Sequence, residues 1–247
     1  MDFAGRTVLV TGATRGIGAA MVEQLIGAGA NILAVARDPS ALDRLAQKYP
    51  GAIQTCAVDL AGPQATKTVT DWVSQYHQDC SILINNAAIM EHVIYIDSSE
   101  DFSEEIDQEI TINLNAPIKL SVAMLGILNA SNGAAICNVT SGLAIAPLTN
   151  AAVYCATKAG LRSFTKALRY QCEIAQNGIL VSEAIMTLVD TTLSHGEAKR
   201  KVSPQRAAKE VLAGLASNKK EIWVEKTKLL RIINRLSPAL AAKILRG

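Results

Sequence analysis

Thr7–Gly18, which reads TVLVTGATRGIG, decides the fold of this 247-residue chain. Its apolar and β-branched start is typical of a buried strand, and its glycines open a segment with helical spacing. Glycines at such a turn let the backbone approach a phosphate, whose negative charge the free N–H groups of the helix attract. The stretch predicts a nucleotide-binding strand–turn–helix unit, although its GxxxGxG spacing also fits a plain glycine-rich turn.

The same alternation of strand and helix continues along the chain. It predicts an α/β fold of the Rossmann type, a doubly wound, mostly parallel sheet of seven strands with helices on both faces. No linker or repeat interrupts it, so we expect a single domain over residues 1–247. The predicted strands are 7–11, 31–36, 53–58, 81–85, 134–140, 179–184 and 221–224, and the predicted helices include 18–28, 39–48, 64–76, 114–128, 151–172 and 204–216.

Composition excludes several classes of function. Lys and Arg number 24 against 22 Asp and Glu, and aromatic residues make up 4% of the chain, which argues against nucleic-acid binding. Five scattered cysteines predict neither disulfides nor a zinc site, and no cluster of metal-ligating residues is evident. The first strand begins too early for a signal peptide, and no window of about 18 purely apolar residues occurs. We expect a metal-free, cytoplasmic protein without a transmembrane segment.

The end of the second predicted strand indicates which nucleotide binds. A site for NAD(H) usually has an acidic residue there to hold the ribose 2′-hydroxyl, whereas this strand runs into Arg37. Asp38 precedes Pro39 and is interpreted as a helix N-cap. Arg37 and Arg15 could hold a 2′-phosphate, which favours NADP(H) over NAD(H), unless they are two ordinary surface arginines.

Polar residues that could act on a substrate follow the fifth predicted strand. Tyr154 and Lys158 share one helical face, where an ammonium would lower the pKa of the phenol; alone, such a pair is common on helix surfaces. Ser141 ends the strand, where a doubly wound sheet presents its ligand-facing edge. Asn113 adds a polar group in an apolar stretch and could equally be a helix cap.

In this order, TGATRGIG, Asp59-Leu60, NNAA at 85–88, Asn113, Ser141 and YCATK resemble the single-domain short-chain dehydrogenase/reductases over residues 5–225. The resemblance implies that Tyr154 protonates a substrate carbonyl, that Ser141 hydrogen-bonds the same oxygen, and that Lys158 binds the nicotinamide ribose and lowers the pKa of Tyr154. Asn113 would hold a water that links Lys158 to solvent. The implied cofactor contacts are Gly12, Thr14, Arg15, Gly16, Ile17, Gly18, Arg37, Asp59, Leu60, Asn86, Ala87, Tyr154, Lys158, Val189 and Thr191.

Two departures from the family pattern stand out. Ala88 replaces the last glycine of NNAG, and Met186-Thr187 stands where the family has Pro-Gly after the sixth strand. The second change predicts an altered path for the loop that carries Val189 and Thr191. The stretches EITINLNAPIKL and VYCATKAGLRSFTKALRYQ are similar to a bacterial branch represented by DltE.

We expect substrate contacts from residues 90–97, 143–150 and 188–202, around a mainly apolar pocket. The same side chains could instead form core or oligomer contacts, and the polar candidates could be ordinary exposed loop residues. The apolar candidates are Leu143, Ile145, Pro147, Leu148, Val153, Leu188 and Leu193, and the polar ones are Glu91, His92 and His195.

The last 22 residues, 226–247, carry six basic residues and no acid. Apolar residues at helical spacing accompany them, in a pattern that Pro238 interrupts, and they are Leu229, Ile233, Leu236, Leu240 and Ile244. Such a basic amphipathic tail packs on its own domain or on a sister subunit, or it lies on an anionic membrane or an acidic partner. The resemblance also implies a homodimer or homotetramer.

The residues favour a reductase of ketones or aldehydes that uses NADPH, or an alcohol dehydrogenase in the reverse direction. The alternative is a nucleotide-binding sensor that keeps the fold without turnover. The unusual Met186-Thr187 turn favours this alternative. An epimerase or dehydratase would need a longer substrate-binding region after residue 180.

Overall fold

The computed structural model of the chain describes residues 1–96, 98–129, 133–191 and 201–246. Strands lie at all seven predicted positions, with ends that differ from the prediction by at most two residues. In chain order they are β1 Thr7–Thr11, β2 Asn31–Ala36, β3 Ile53–Ala57, β4 Cys80–Asn85, β5 Ala135–Ser141, β6 Leu180–Met186 and β7 Glu221–Trp223.

The strands form one sheet in the order β3-β2-β1-β4-β5-β6-β7, and every neighbouring pair is parallel. This confirms the predicted doubly wound sheet. The strand order reverses between β1 and β4, and ligands of such sheets bind at that point, beyond the carboxyl ends of the strands.

Helices connect the strands. The predicted helices 39–48 and 204–216 are found with the same bounds, and the others begin or end within three residues of the prediction. In chain order the helices are α1 Gly16–Gly27, α2 Pro39–Lys48, α3 Ala65–Tyr76, α4 Ser103–Ile110, α5 Ala116–Asn129, α6 Ala152–Ala175, α7 Pro204–Ala216, α8 Thr227–Leu236 and α9 Pro238–Leu245.

Sequence analysis did not predict α4. Half of its residues, SEEIDQEI, are acidic, and only Ile106 and Ile110 show helical spacing. A π-helical turn at Thr111–Asn115 joins α4 to α5, so that the helix runs on from Ser103. By length and composition Ser103–Leu128 could cross a membrane, but core helices of soluble proteins pass the same test.

The sheet is covered by apolar side chains on both faces. Along β1, Val8 and Val10 belong to one buried cluster and Leu9 to another, because successive side chains of a strand point to opposite faces. The first cluster includes Met21 of α1, and the second includes Met124 of α5. Each such fully buried side chain contributes about 1.5–3 kcal/mol to folding.

Candidate active site

The glycine loop after β1 has the tight backbone that the sequence predicts. Gly12 and Gly16 have φ angles of +66° and +54°, a region that residues with a side chain rarely adopt. A Cβ on Gly18 would lie 2.0 Å from the Gly12 carbonyl oxygen, so only glycine fits there. The loop leads directly into the N-terminus of α1, whose first residues have no side-chain cap.

Asn86 holds this loop against the end of β4. Its side-chain amide donates to the Thr11 carbonyl at 3.0 Å and to the Gly12 carbonyl at 3.3 Å. In return, the Thr11 hydroxyl accepts from the backbone N–H groups of Asn86 and Ala87 at 3.0 and 3.1 Å. Asn86 and Ala87 therefore shape the loop as well as line the cleft beside it.

Arginines surround the end of the cleft next to β2. Arg15 and Arg37 both line it, and Arg44, which sequence analysis missed, lines it from α2. The sequence did contain a pattern that could have indicated Arg44. Arg37, Ala41 and Arg44 are spaced so that they lie on the same side of the first turns of α2. Asp38 caps α2 as predicted, because its carboxylate accepts from the Ala41 N–H at 3.2 Å.

The reacting groups gather at the other end of the cleft. Ser141 is the last residue of β5, and its hydroxyl oxygen accepts from the Leu143 N–H at 3.1 Å. Tyr154, in the first turn of α6, hydrogen-bonds through its hydroxyl to Ser141. One turn further, the Lys158 ammonium donates to the Val139 carbonyl at 3.0 Å and lies 5.6 Å from the centroid of the Tyr154 ring.

Burial changes the acidity of both side chains. It raises the pKa of Tyr154 well above its usual value of 10, against a lowering by the hydrogen bond with Ser141. Burial lowers the pKa of Lys158 from 10.5 to about 8. The expected lowering of the Tyr154 pKa by Lys158 is thus not found, because desolvation of the phenolate is the larger effect and the ammonium bonds to Val139.

Asn113 lies in the π-helical turn and is fully buried. Its side-chain oxygen accepts from the Ile89 N–H at 2.9 Å, and its amide donates to the Ile89 carbonyl at 2.8 Å and to the Thr157 hydroxyl at 3.4 Å. The side chain thus ties the loop after β4 to α6 and does not act as a helix cap. π-Helical turns of this kind are frequent at functional sites.

Glu109, at the end of α4, is a buried carboxyl group that sequence analysis missed. It is 1% exposed, and one of its oxygens accepts from the Glu91 N–H at 3.4 Å. Burial raises its pKa from 4.5 to about 7, and its charge in turn raises the pKa values of Tyr154 and Lys158. The signal available in the sequence was its position one helical turn before Asn113.

The nucleotide end and the reacting end belong to one cleft of about 1160 Å³. Of the predicted site residues, Gly18 and Asn113 lie behind its wall, and the others line it. Those others are Gly12, Thr14, Arg15, Gly16, Ile17, Arg37, Asp59, Leu60, Asn86, Ala87, Ser141, Tyr154, Lys158, Val189 and Thr191.

The loop with the unusual Met186-Thr187 pair still reaches the cleft. Both residues line it, and Val189 forms a parallel bridge with Val202. Thr191 lies against the glycine loop, since a Cβ on Gly16 would come 3.1 Å from its methyl group. Val189 and Thr191 are therefore positioned beside the proposed cofactor site.

The predicted substrate side is only partly found. Leu143, Leu148 and Leu188 line the cleft, whereas Ile145 packs against the C-terminal helices. Pro147 and Val153 are not among the lining residues, and neither are Glu91 and His92, which are exposed. Leu193 and His195 lie outside the described residues.

The C-terminal segment contributes an unpredicted wall. Of the alternatives stated for 226–247, the structure has the segment packed on its own domain, with its two helices, α8 and α9, folded back over the cleft. Its position depends on Leu230 and Ala241, whose burial against Ala146 no local pattern indicates. The cleft-lining residues from this segment are Lys226, Thr227, Leu229, Leu230, Ile233, Ile244 and Leu245.

Comparison with known proteins identifies the family. Residues 6–201 match the family model described as short chain dehydrogenase. The chain belongs to the short-chain dehydrogenase family. It is 32% identical to the uncharacterized oxidoreductase DltE of Bacillus subtilis over 95% of this chain and 94% of that protein. The bovine L-xylulose reductase is 35% identical over 78% of this chain and 75% of its own length.

Solved structures agree with this membership in the short-chain dehydrogenase family. A short-chain dehydrogenase from Burkholderia cenocepacia, determined in complex with NADP, is 25% identical, with a TM-score of 0.87 and full coverage of both chains. A short-chain dehydrogenase from Sphingobium yanoikuyae, 24% identical, shares the fold with a TM-score of 0.80 over 96% of this chain and 95% of its own. The chain is therefore an oxidoreductase of the short-chain dehydrogenase family with the Rossmann-type fold.

The buried carboxyl group of Glu109 predicts a pH-dependent stability. The folded protein holds its proton up to about pH 7, whereas the unfolded chain releases it near pH 4.5. Folding thus binds a proton between these values, so this group's contribution to stability falls as the pH rises through the window. Glutamine has no proton to release, so Glu109→Gln should lack this decrease. The difference in free energy of unfolding between Glu109→Gln and wild type should therefore shift in favour of the variant by up to about 3 kcal/mol from pH 5 to pH 8.

Urea unfolding at both pH values measures this difference. Glu105→Gln, the same change at an exposed position of α4, is the matched control and should follow the wild-type pH dependence. Parallel stability curves for wild type and Glu109→Gln would show that the carboxyl group titrates normally.

Proposed function

We propose that this protein is an NADPH-dependent reductase of ketones or aldehydes, and equally an alcohol dehydrogenase in the reverse direction. The observation that carries the proposal is that Ser141, Tyr154 and Lys158 lie in one cleft with a glycine loop at its far end. When bound, the nicotinamide supplies the hydride that the carbonyl carbon accepts.

Tyr154 is the proton donor in this proposal. Because burial raises its pKa, the phenol remains protonated at neutral pH and can deliver a proton to the carbonyl oxygen. The Ser141 hydroxyl, which is hydrogen-bonded to Tyr154 in the absence of substrate, turns its hydrogen to the same oxygen, where negative charge develops in the transition state. The Leu143 N–H holds the Ser141 hydroxyl, and the buried Tyr154 side chain lies against Ser141.

Lys158 supplies the proton that replaces the one Tyr154 gives up, and Asn113 positions the water that would link Lys158 to solvent. A Lys158 pKa of about 8 lets the ammonium release and regain a proton near neutral pH. Asn113 fixes the loop at Ile89 close to α6, and a water held in this region would link Lys158 to solvent. Lys158 also holds the nicotinamide ribose in this assignment.

The cofactor preference rests on the arginines beside β2. Arg37 takes the place where an NAD(H) site has a carboxylate, and Arg15 and Arg44 line the same end of the cleft. Guanidinium groups bind phosphate through paired, charge-assisted hydrogen bonds. This fits the 2′-phosphate of NADP(H), with Asp59 and Leu60 beside the adenine.

The substrate is a mid-sized, mainly apolar carbonyl compound. Leu143, Leu148 and Leu188 supply apolar contacts near Tyr154, and Met90 adds another. Because these side chains offer few hydrogen bonds, we assign orientation of the substrate to Ser141 and Tyr154.

The proposal extends to the protein's surroundings. The chain acts as one domain over residues 1–247, in the cytoplasm, as a homodimer or homotetramer. Its partners include a small-molecule substrate and further copies of itself, and neither nucleic acid nor a metal ion is among them.

Tyr154→Phe tests the proton donor. We expect turnover of carbonyl substrates to fall about 100-fold or more, because the hydroxyl group is lost from an otherwise similar side chain. NADPH binding should stay within about twofold of wild type. Tyr170→Phe, the same change at a half-exposed position further along α6, is the control and should retain full activity. Wild-type turnover by Tyr154→Phe would exclude this residue as the acid.

Arg37→Glu tests the cofactor preference. Steady-state kinetics and fluorescence titrations should show a loss of NADPH affinity of about 10- to 100-fold, since a charge-assisted contact becomes a repulsion. NADH lacks the 2′-phosphate and is the internal control, with affinity unchanged or improved. Equal losses for both nucleotides would contradict a role of Arg37 in phosphate recognition.

A further inference from the structure

The helices α8 and α9, called here the C-terminal hairpin, are fixed to the body of the protein on one side. Leu230 and Ala241 are buried together with Ala146. The Thr227 hydroxyl donates to the Ile185 carbonyl at 3.1 Å, and the Thr149 N–H donates to the Arg246 carbonyl at 3.1 Å. The hairpin is therefore an ordered part of the fold. Its inner side packs on the protein, which leaves the side chains of its outer side exposed.

The outer side of the hairpin is unusually apolar. We call its five exposed large apolar side chains the outer stripe. Three of them follow each other at helical spacing in α8 and the other two are one turn apart in α9, so each set forms a continuous row. The outer stripe consists of Leu229, Ile232, Leu236, Leu240 and Ile244, whose exposed fractions run from 49% for Leu240 to 80% for Leu236.

The outer stripe reaches the mouth of the active-site cleft. Leu229 of α8 and Ile244 of α9 are exposed and also line the cleft. Both helices therefore present apolar side chains to solvent at the cleft's edge. Whatever covers the stripe lies next to the path by which an apolar substrate would enter.

Basic residues accompany the stripe. Lys228, Arg231 and Arg235 repeat the spacing of Leu229, Ile232 and Leu236 one residue earlier, and thus lie about 100° away around the helix. The segment 226–247 has six basic residues and no acid, whereas the rest of the chain has 18 of the 24 basic residues against all 22 acidic ones. Lys228 forms an ion pair with Glu210 at 2.7 Å, and Arg231 lies 5.3 Å from the Trp223 ring centroid.

This charge distribution selects among possible partners for the stripe. If two copies of the hairpin met face to face, the two segments 226–247 would bring together twelve basic residues and no acidic ones. Repulsion between these like charges makes that arrangement unfavourable. An anionic lipid surface instead attracts these charges and accepts the apolar side chains between its headgroups. Apolar residues beside a Lys/Arg row are the usual composition of helices that lie in such an interface.

We propose that the C-terminal hairpin docks this protein on an anionic lipid surface, with the outer stripe among the headgroups and the mouth of the cleft beside it. The docking uses residues outside the catalytic and cofactor sites and is independent of the reductase activity. It requires no change of fold, because the stripe is already exposed.

Sedimentation with phosphatidylcholine vesicles, with and without phosphatidylglycerol, tests the proposal. We expect the wild-type protein to bind only vesicles that contain phosphatidylglycerol, with less binding at high salt. Ile232→Ser/Leu236→Ser should reduce the partition coefficient about tenfold or more, since neither apolar side chain would remain to insert. Ile174→Ser removes a side chain of similar exposure, 84%, from α6 and should leave binding unchanged.

A second pair of variants tests the charge. Arg235→Glu/Lys243→Glu should reduce vesicle binding about tenfold or more, because each basic residue near the surface contributes about a fivefold attraction. The control is Lys166→Glu/Lys209→Glu, which makes the same change in net charge on α6 and α7. Its vesicle binding should fall much less.

Thermal unfolding and light scattering accompany these measurements. All the substituted side chains are exposed, so the unfolding temperatures should match wild type. Failure of the wild-type protein to bind either vesicle, or equal losses in hairpin and control variants, would overturn the proposal. So would a loss of oligomer mass in Ile232→Ser/Leu236→Ser with unchanged vesicle binding, because a second copy of the chain would then cover the stripe.

Discussion

The hydrogen bond from the Lys158 ammonium to the Val139 carbonyl joins α6 to β5, and the site depends on it. It ties α6 to β5 one helical turn after Tyr154, which itself meets Ser141 at the end of the strand. The ammonium group is buried here, and this burial lowers its pKa to about 8, because desolvation disfavours the charged form. The contact with Val139 thus positions the ammonium beside the other reacting groups, and its burial sets the acidity of the group that would resupply the proton.

A second constraint acts at the carboxyl edge of the sheet. Thr11 and Asn86 link the ends of β1 and β4, and Asn113 links the next loop to α6 through Ile89 and Thr157. These bonds satisfy buried polar groups that would otherwise cost about 1–3 kcal/mol each. They also join the glycine loop and the reacting groups into one rigid wall of the cleft.

Sequence patterns predicted the sheet because its strands are short apolar runs bounded by glycine or polar residues, as in β1 and β5. They predicted Ser141, Tyr154 and Lys158 because strand ends and helical spacing bring such residues to one edge. Glu109 was missed, since its burial depends on the packing of α4 against α6, which an acidic sequence does not indicate. Packing of the C-terminal segment on its own domain was one of the alternatives that the sequence left open. That α8 and α9 line the cleft was not predicted, because this depends on contacts of Leu230 and Ala241 with Ala146, far away in the sequence.

The central claim is that one cleft binds NADPH and brings it to a carbonyl group beside Tyr154. Its most direct measurement is a fluorescence titration of the wild-type protein with NADPH and with NADH, followed by addition of a panel of ketones and aldehydes to the NADPH complex. The account predicts saturable binding, tighter for NADPH, and oxidation of the bound NADPH by at least one apolar carbonyl compound. Absence of saturation with both nucleotides, or binding without oxidation across the panel, would contradict it, and the second result would favour a nucleotide sensor.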